Sequence, residues 1–151
     1  MEQNYDMLLN DIEILLIEDN YDDAELVQRT FKQNRVGNGL VHLINGNEAL
    51  DFLLVRGRFA ARKPENKQQL ILLDLKMPGL DGIQLLKMLK QDERTRHIPV
   101  VVMTSSSDAK DIIDSYQLGV DRYVVKPVNF ADFARATADL GFYWQLSRSP
   151  K

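Results

Sequence analysis

The 151-residue chain has no cysteine. Disulfides, thiolate chemistry and cysteine-ligated zinc are excluded at once. Long hydrophobic runs are missing too. Ile98-Pro99-Val100-Val101-Val102-Met103 is among the longest, far short of the ~20 apolar residues that span a bilayer. Charge of one sign is scarce: 19 basic against 22 acidic residues give net −3 and a pI near 5.4. No basic surface for a phosphate backbone is expected, and hence no nucleic-acid partner. The start, Met1-Glu2-Gln3-Asn4-Tyr5-Asp6, is acidic and lacks the basic opening of a signal peptide. The two histidines, His42 and His97, lie far apart and read as structural or surface residues. What is present is ordinary: 44% hydrophobic and 27% charged residues, enough to bury one core. The expectation is a soluble, cytoplasmic, single folded unit with no membrane contact.

Five short apolar, β-branched runs stand out, at 14–17, 40–44, 70–73, 99–103 and 123–125. Runs that do not alternate with polar residues predict strands covered on both faces. Helical spacing fills the gaps. Asn20 opens one helix, with Asp22, Asp23 and Glu25 near its positive end and Leu26, Val27, Thr30 and Phe31 expected to face inward. Others are predicted over 47–55, over 82–91, over 107–118 (capped by Ser107 and stopped at Gly119) and from Asn129 towards Leu140. Strand and helix thus alternate five times, the pattern of a parallel α/β sheet with helices on both faces. Sites in such sheets lie at the carboxyl ends of the strands.

The residues just past the runs are therefore informative. Glu18 and Asp19 follow the first, Asp74 the third, Thr104 the fourth, and Lys126-Pro127 the fifth. Crowded carboxylates repel one another unless a cation joins them. Hard oxygen ligands suit Mg²⁺, which favours sites shared with a phosphate. Lysine can hold one phosphoryl oxygen and a threonine hydroxyl can donate to another. The residues thus point to Mg²⁺-dependent phosphoryl transfer to an aspartate. Asp74, a single acid ending the most apolar run, is the candidate nucleophile.

This constellation resembles the receiver domains of two-component response regulators. The matching residues are Glu18-Asp19, then Asp74 with Pro78, Gly79 and Gly82, then Thr104, Tyr123 and Lys126-Pro127. The intervals of 30 residues from Asp74 to Thr104 and 22 from Thr104 to Lys126 match the family's usual separations. The resemblance covers about residues 13–140, leaving 1–12 and 141–151 as extensions. It implies a flavodoxin-like doubly wound sheet of five parallel strands in order 2-1-3-4-5. It further implies that Asp74 accepts a phosphoryl group from a sensor histidine kinase. Mg²⁺ (or Mn²⁺) would be held by Asp19, Asp74 and the backbone carbonyl of Lys76, and by Glu18 through a water. Lys126 would pair with the phosphoryl group, Thr104 would hydrogen-bond it, and Tyr123 would be the aromatic switch that follows Thr104. The Lys126–Pro127 peptide is expected to be cis. Turnover would be limited to self-catalysed phosphorylation and dephosphorylation, with output through protein contact or dimerisation.

Two departures from the family pattern are visible. Glu18 stands where most receivers carry Asp, and Lys76 lies two residues after the nucleophile. Lys76 and Ser106 are expected to tune the lifetime of the phosphoryl group. The 55 residues from Asp19 to Asp74 exceed what a standard receiver needs, the excess falling around 56–64. With 111–119 and the ending Phe142-Tyr143-Trp144, the chain resembles the subfamily paired with phytochrome-type sensor kinases. Members tend to form homodimers through the last strand, last helix and C-terminal extension. The basic loop residues Arg56, Arg58, Arg62, Lys63 and Lys67 are read as a solvated or kinase-docking surface. Two rival readings are open to the same residues. One is a non-phosphorylated adaptor that only docks a partner, which has no need of Asp19, Asp74, Thr104 and Lys126 together. The other is an aspartate-based phosphatase, which would place a second Asp where Lys76 stands.

Overall fold

The computed structural model describes residues 12–34, 39–63, 68–75, 82–104, 117 and 122–138. Five parallel strands, β1 (Ile12–Ile17), β2 (Gly39–Leu43), β3 (Gln68–Asp74), β4 (Val100–Thr104) and β5 (Arg122–Val125), form one sheet in the order β2-β1-β3-β4-β5. The described helices are α1 (Tyr21–Gln33), α2 (Gly46–Leu53), α3 (Gly82–Gln91) and α4 (Phe130–Ala136), with a short 3-10 turn at Gly57–Phe59. This is the doubly wound, flavodoxin-like order that the resemblance implies. Among the described residues no helix is long and apolar enough to cross a membrane. Of the helix predicted over 107–118 only Gln117, which is helical, is described, and the aromatic ending falls outside the described residues.

Alternate residues of the central strands supply two cores, as a sheet covered on both faces requires. Ile14, Leu16, Leu70, Leu72, Val101 and Met103 meet Ala24, Val27 and Phe31 of α1 and Phe130 and Phe133 of α4. Leu15, Ile17, Ile71, Leu73, Val100 and Val102 meet Ala49, Leu50 and Phe52 of α2 and Leu85, Leu86 and Leu89 of α3. Phe31 anchors the first core, its ring 5.7 Å from Phe130 at 90° and 4.7 Å from Phe133; such pairs add to plain area burial.

Helix starts follow side-chain caps. Asn20, Asn45 and Asn129 each accept the N–H three residues on, from Asp23, Glu48 and Asp132. Leu26, expected to face inward, is 49% exposed. The buried stripe of α1 is Ala24, Val27 and Phe31, and Leu26 sits about 100° round the helix from Val27. The second helix also begins earlier than expected, because Asn45 rather than a later residue is its cap. It ends before Val55, which takes φ +55°. Arg56 N–H bonds Asp51 O and Val55 N–H bonds Phe52 O, the left-handed terminator pattern that usually takes glycine.

Candidate functional site

The sheet order brings the ends of β1, β3 and β4 side by side, and each delivers one piece of a cleft. After Ile17 the chain turns sharply. Glu18 N–H still bonds Leu43 O of β2 at 3.0 Å, while the Glu18 Oε2 accepts Asn20 N–H at 3.1 Å. Asn20 in turn caps α1, so one three-residue turn fixes the Glu18 carboxylate and the direction of α1 together. On the next strand, Asp74 pairs in register with Met103. Its exit is set by Gly82, whose N–H bonds Leu75 O at 2.9 Å. A Cβ there would lie 2.4 Å from Leu75 Cα and 2.5 Å from Asp74 O. Only glycine lets α3 start so close to the acid. Thr104 ends β4 opposite Val125, and its carbonyl accepts Lys126 N–H at 2.9 Å. The Lys126–Pro127 peptide is cis.

An open cleft of about 270 Å³ results, lined by Glu18, Asp19, Asn20, Asp23, Asp74, Leu75, Met103, Thr104 and Lys126. The Lys126 Nζ lies 2.9 Å from Glu18 Oε1, 3.1 Å from Asp23 Oδ2 and 3.2 Å from Asp74 Oδ2. Glu18, Asp74 and Thr104 are buried and Lys126 is half-buried. Loss of water works against the Lys126 charge, but the hydrogen bond to Glu18 and the charges of Asp74 and Glu18, with Asp23 behind them, hold it above the ordinary lysine range. Glu18 goes the other way. Burial pushes its carboxyl up to about 7, opposed by Lys126, reinforced by the neighbouring Asp74 and opposed again by Asn20 N–H.

Glu18, Asp19 and Asp74 each offer an oxygen, and the three lie within 4.8 Å of one another. Four carboxylates, counting Asp23, face one ammonium in this cleft. The excess negative charge and the all-oxygen donor set suit a hard divalent cation.

Of the residues singled out from the sequence, Glu18, Asp19, Asp74, Thr104 and Lys126 converge on the cleft. Tyr123 does not line it. It sits on β5 opposite Val102, 37% exposed. Lys76 and Ser106 lie outside the described residues. Sequence reasoning missed Asp23 as a site residue, having placed it only at the positive end of α1. Its position four after Asp19, on the first turn of a capped helix, was the available signal. His42 is structural, as expected, but its bond to Glu18 O at 2.7 Å was not foreseen.

Residues 14–138 match the response regulator receiver domain, and the chain belongs to that family. Among individual relatives, the response regulator Rcp1 of Synechocystis sp. (strain ATCC 27184 / PCC 6803 / Kazusa) is 37% identical over 131 residues, spanning 87% of each chain. The Mn²⁺-bound form of Rcp1 superposes with a TM-score of 0.70 at 35% identity, covering 93% of this chain and 99% of that one. The bacteriophytochrome response regulator AtBRR gives a TM-score of 0.78 at 43% identity, with 87% and 94% covered. A probable methanogenesis regulatory protein, FilR2 of Methanothrix harundinacea (strain 6Ac), is 36% identical over 138 residues, spanning 91% of this chain and 86% of its own.

Proposed function

We propose that the chain is a cytoplasmic phosphoacceptor. Asp74 takes a phosphoryl group from a phosphohistidine on a sensor histidine kinase, and the modified surface signals by protein contact. The observation that carries this reading is the placement of Asp74: at a strand end, 3.2 Å from the Lys126 ammonium and within 4.8 Å of two further carboxylates. The Asp74 carboxylate attacks phosphorus, the P–N bond to the donor imidazole breaks as the O–P bond forms, and the imidazole leaves. Lys126, already beside Asp74, holds one phosphoryl oxygen, and the Thr104 hydroxyl donates to another. Asp19 and Asp74, Glu18 through a water, and the Lys76 carbonyl are the proposed ligands of Mg²⁺. When bound, the ion neutralises charge on the phosphoryl oxygens.

The product carries about −1.5 to −2 charges where bare Asp74 carries a single one, a gain of up to about one negative charge together with three phosphoryl oxygens. Lys126 and Thr104 therefore contact it more strongly, and that differential contact can bias Tyr123 and the end of β4 between two arrangements. A phytochrome-type kinase is the proposed donor, supported by the likeness to the bacteriophytochrome response regulator AtBRR. The proposed homodimer uses β5, α4 and the C-terminal extension. Supporting it, β5 is an edge strand whose Tyr123 and Val125 are 37% and 36% exposed; light scattering should return twice the chain mass.

The phosphoacceptor reading is tested by intact-protein mass after incubation with Mg²⁺ and a small phosphodonor. Wild type should gain one phosphoryl group, lost when the metal is chelated, and Asp74→Asn should gain none. Labelling of both proteins would place the acceptor elsewhere, and labelling of neither would leave an adaptor as the better description.

A further inference from the structure

β2 lends β1 more than its regular ladder. In a parallel pair each strand's carbonyls are met by N–H groups of its neighbour. β2 stops at Leu43. Because Leu43 O accepts Glu18 N–H, the N–H that would meet the Glu18 carbonyl in a continued ladder is that of Asn45, where the chain has already turned into the α2 cap. Past that point the Glu18 carbonyl is met by a side chain instead, for His42 Nε2 lies 2.7 Å from it. A carbonyl only accepts, so His42 Nε2 must carry the proton. The imidazole is half-buried and is itself braced by Tyr21, whose ring meets it edge-on, 5.9 Å between centroids at 87°. With Leu43 O accepting Glu18 N–H, β2 grips Glu18 by both of its peptide groups. Those bonds fix the backbone at the point where the chain turns to present the Glu18 and Asp19 side chains to Asp74.

We infer that His42 is a positioning residue for the divalent-cation site: its Nε2–H, standing in for a missing ladder bond, sets the Glu18-Asp19 turn so that both carboxylates reach the position they share with Asp74. This rests on the metal-site reading proposed above. Groups that orient ligands from behind typically alter metal affinity by about 10–100-fold when removed. His42→Phe keeps a ring against Tyr21 and deletes the donor, whereas His42→Gln keeps a donor near the place of Nε2.

The probe is Mn²⁺ alone, titrated into the full chain with free ion followed by electron paramagnetic resonance. Metal-free melting in chelator is recorded in parallel. His42→Phe should weaken Mn²⁺ binding by about tenfold, while His42→Gln recovers most of the loss although both variants melt alike. Equal binding by wild type and His42→Phe, or a Gln variant as weak as the Phe one, would overturn the inference and leave the metal site standing. Absence of Mn²⁺ binding by wild type would overturn the metal reading and this inference with it. Should His42→Phe fail to fold, the long-range ¹H–¹⁵N spectrum of wild type decides: the Nε2–H tautomer at neutral pH is required, and an Nδ1–H tautomer contradicts it.

Discussion

Glu18 is the residue on which the site's response to pH turns. It is 1% exposed, shares Lys126 with Asp74, and its carboxyl is pushed up to about 7, first by burial. A folded-state value above the unfolded one means that the folded protein binds this proton more tightly. Its contribution to stability is therefore full below the ordinary glutamate value and is lost as pH rises through about 7. Cation binding runs in the opposite sense, because the ligand must be deprotonated. Mg²⁺ affinity should climb by up to about tenfold per pH unit below neutrality and level off above it. Glu18→Gln should flatten that slope. Calorimetric titration of Mg²⁺ at several pH values checks both, and a wild-type affinity independent of pH from weakly acid to neutral would contradict this role. The acids at strand ends were readable from the chain because apolar runs announce where strands stop. Asp23 was not, since its reach to Lys126, 103 residues away in sequence, depends on how α1 leaves β1.

Elements hold these residues in place through a few positions with no freedom to vary. Gly82 is the sharpest. A methyl group there would strike the Leu75 and Asp74 backbone, so Gly82→Ala must push α3 away from the end of β3. The expected cost is about 1–3 kcal/mol in denaturant unfolding, with a loss of phosphoryl acceptance larger than that of an exposed control such as Gln84→Ala. A variant as stable and as active as wild type would show that the close approach is dispensable. Element existence was legible because apolar runs and asparagine caps coincide, and α3 begins and ends where the pattern puts it. The misplacements have local causes. Leu26 looked like core because it adjoins Val27, but a helix turns about 100° between them. Val55 looked helical because it is apolar, yet it adopts the left-handed terminator conformation, for which its side chain gives no signal.

Across the whole molecule, two apolar layers on either face of the sheet leave the acids gathered at one end. That crowding opposes folding until a cation arrives, so metal and fold are linked. Mg²⁺ at about 100 times its dissociation constant should stabilise the protein by about 2.7 kcal/mol, a rise of roughly 5–10 °C in melting temperature for a chain of this size. Asp19→Ala and Asp74→Ala should abolish most of the rise, as differential scanning calorimetry would record. The parallel sheet and its both-sided burial were legible in the sequence, since five unalternating runs separated by helical stretches allow few other architectures, whereas the strand order was implied by the family resemblance. What sequence pattern does not encode is how a histidine on one strand completes the bonding of its neighbour, for that depends on where β2 leaves the sheet.

The most direct measurement is reductive trapping with borohydride after phosphotransfer from an autophosphorylated phytochrome-type kinase in Mg²⁺, followed by peptide mapping. Conversion of Asp74 to homoserine, absent when Mg²⁺ is chelated, is the expected result. Homoserine at another aspartate, or none while the kinase loses its phosphoryl group, would contradict the assignment of Asp74 as the acceptor.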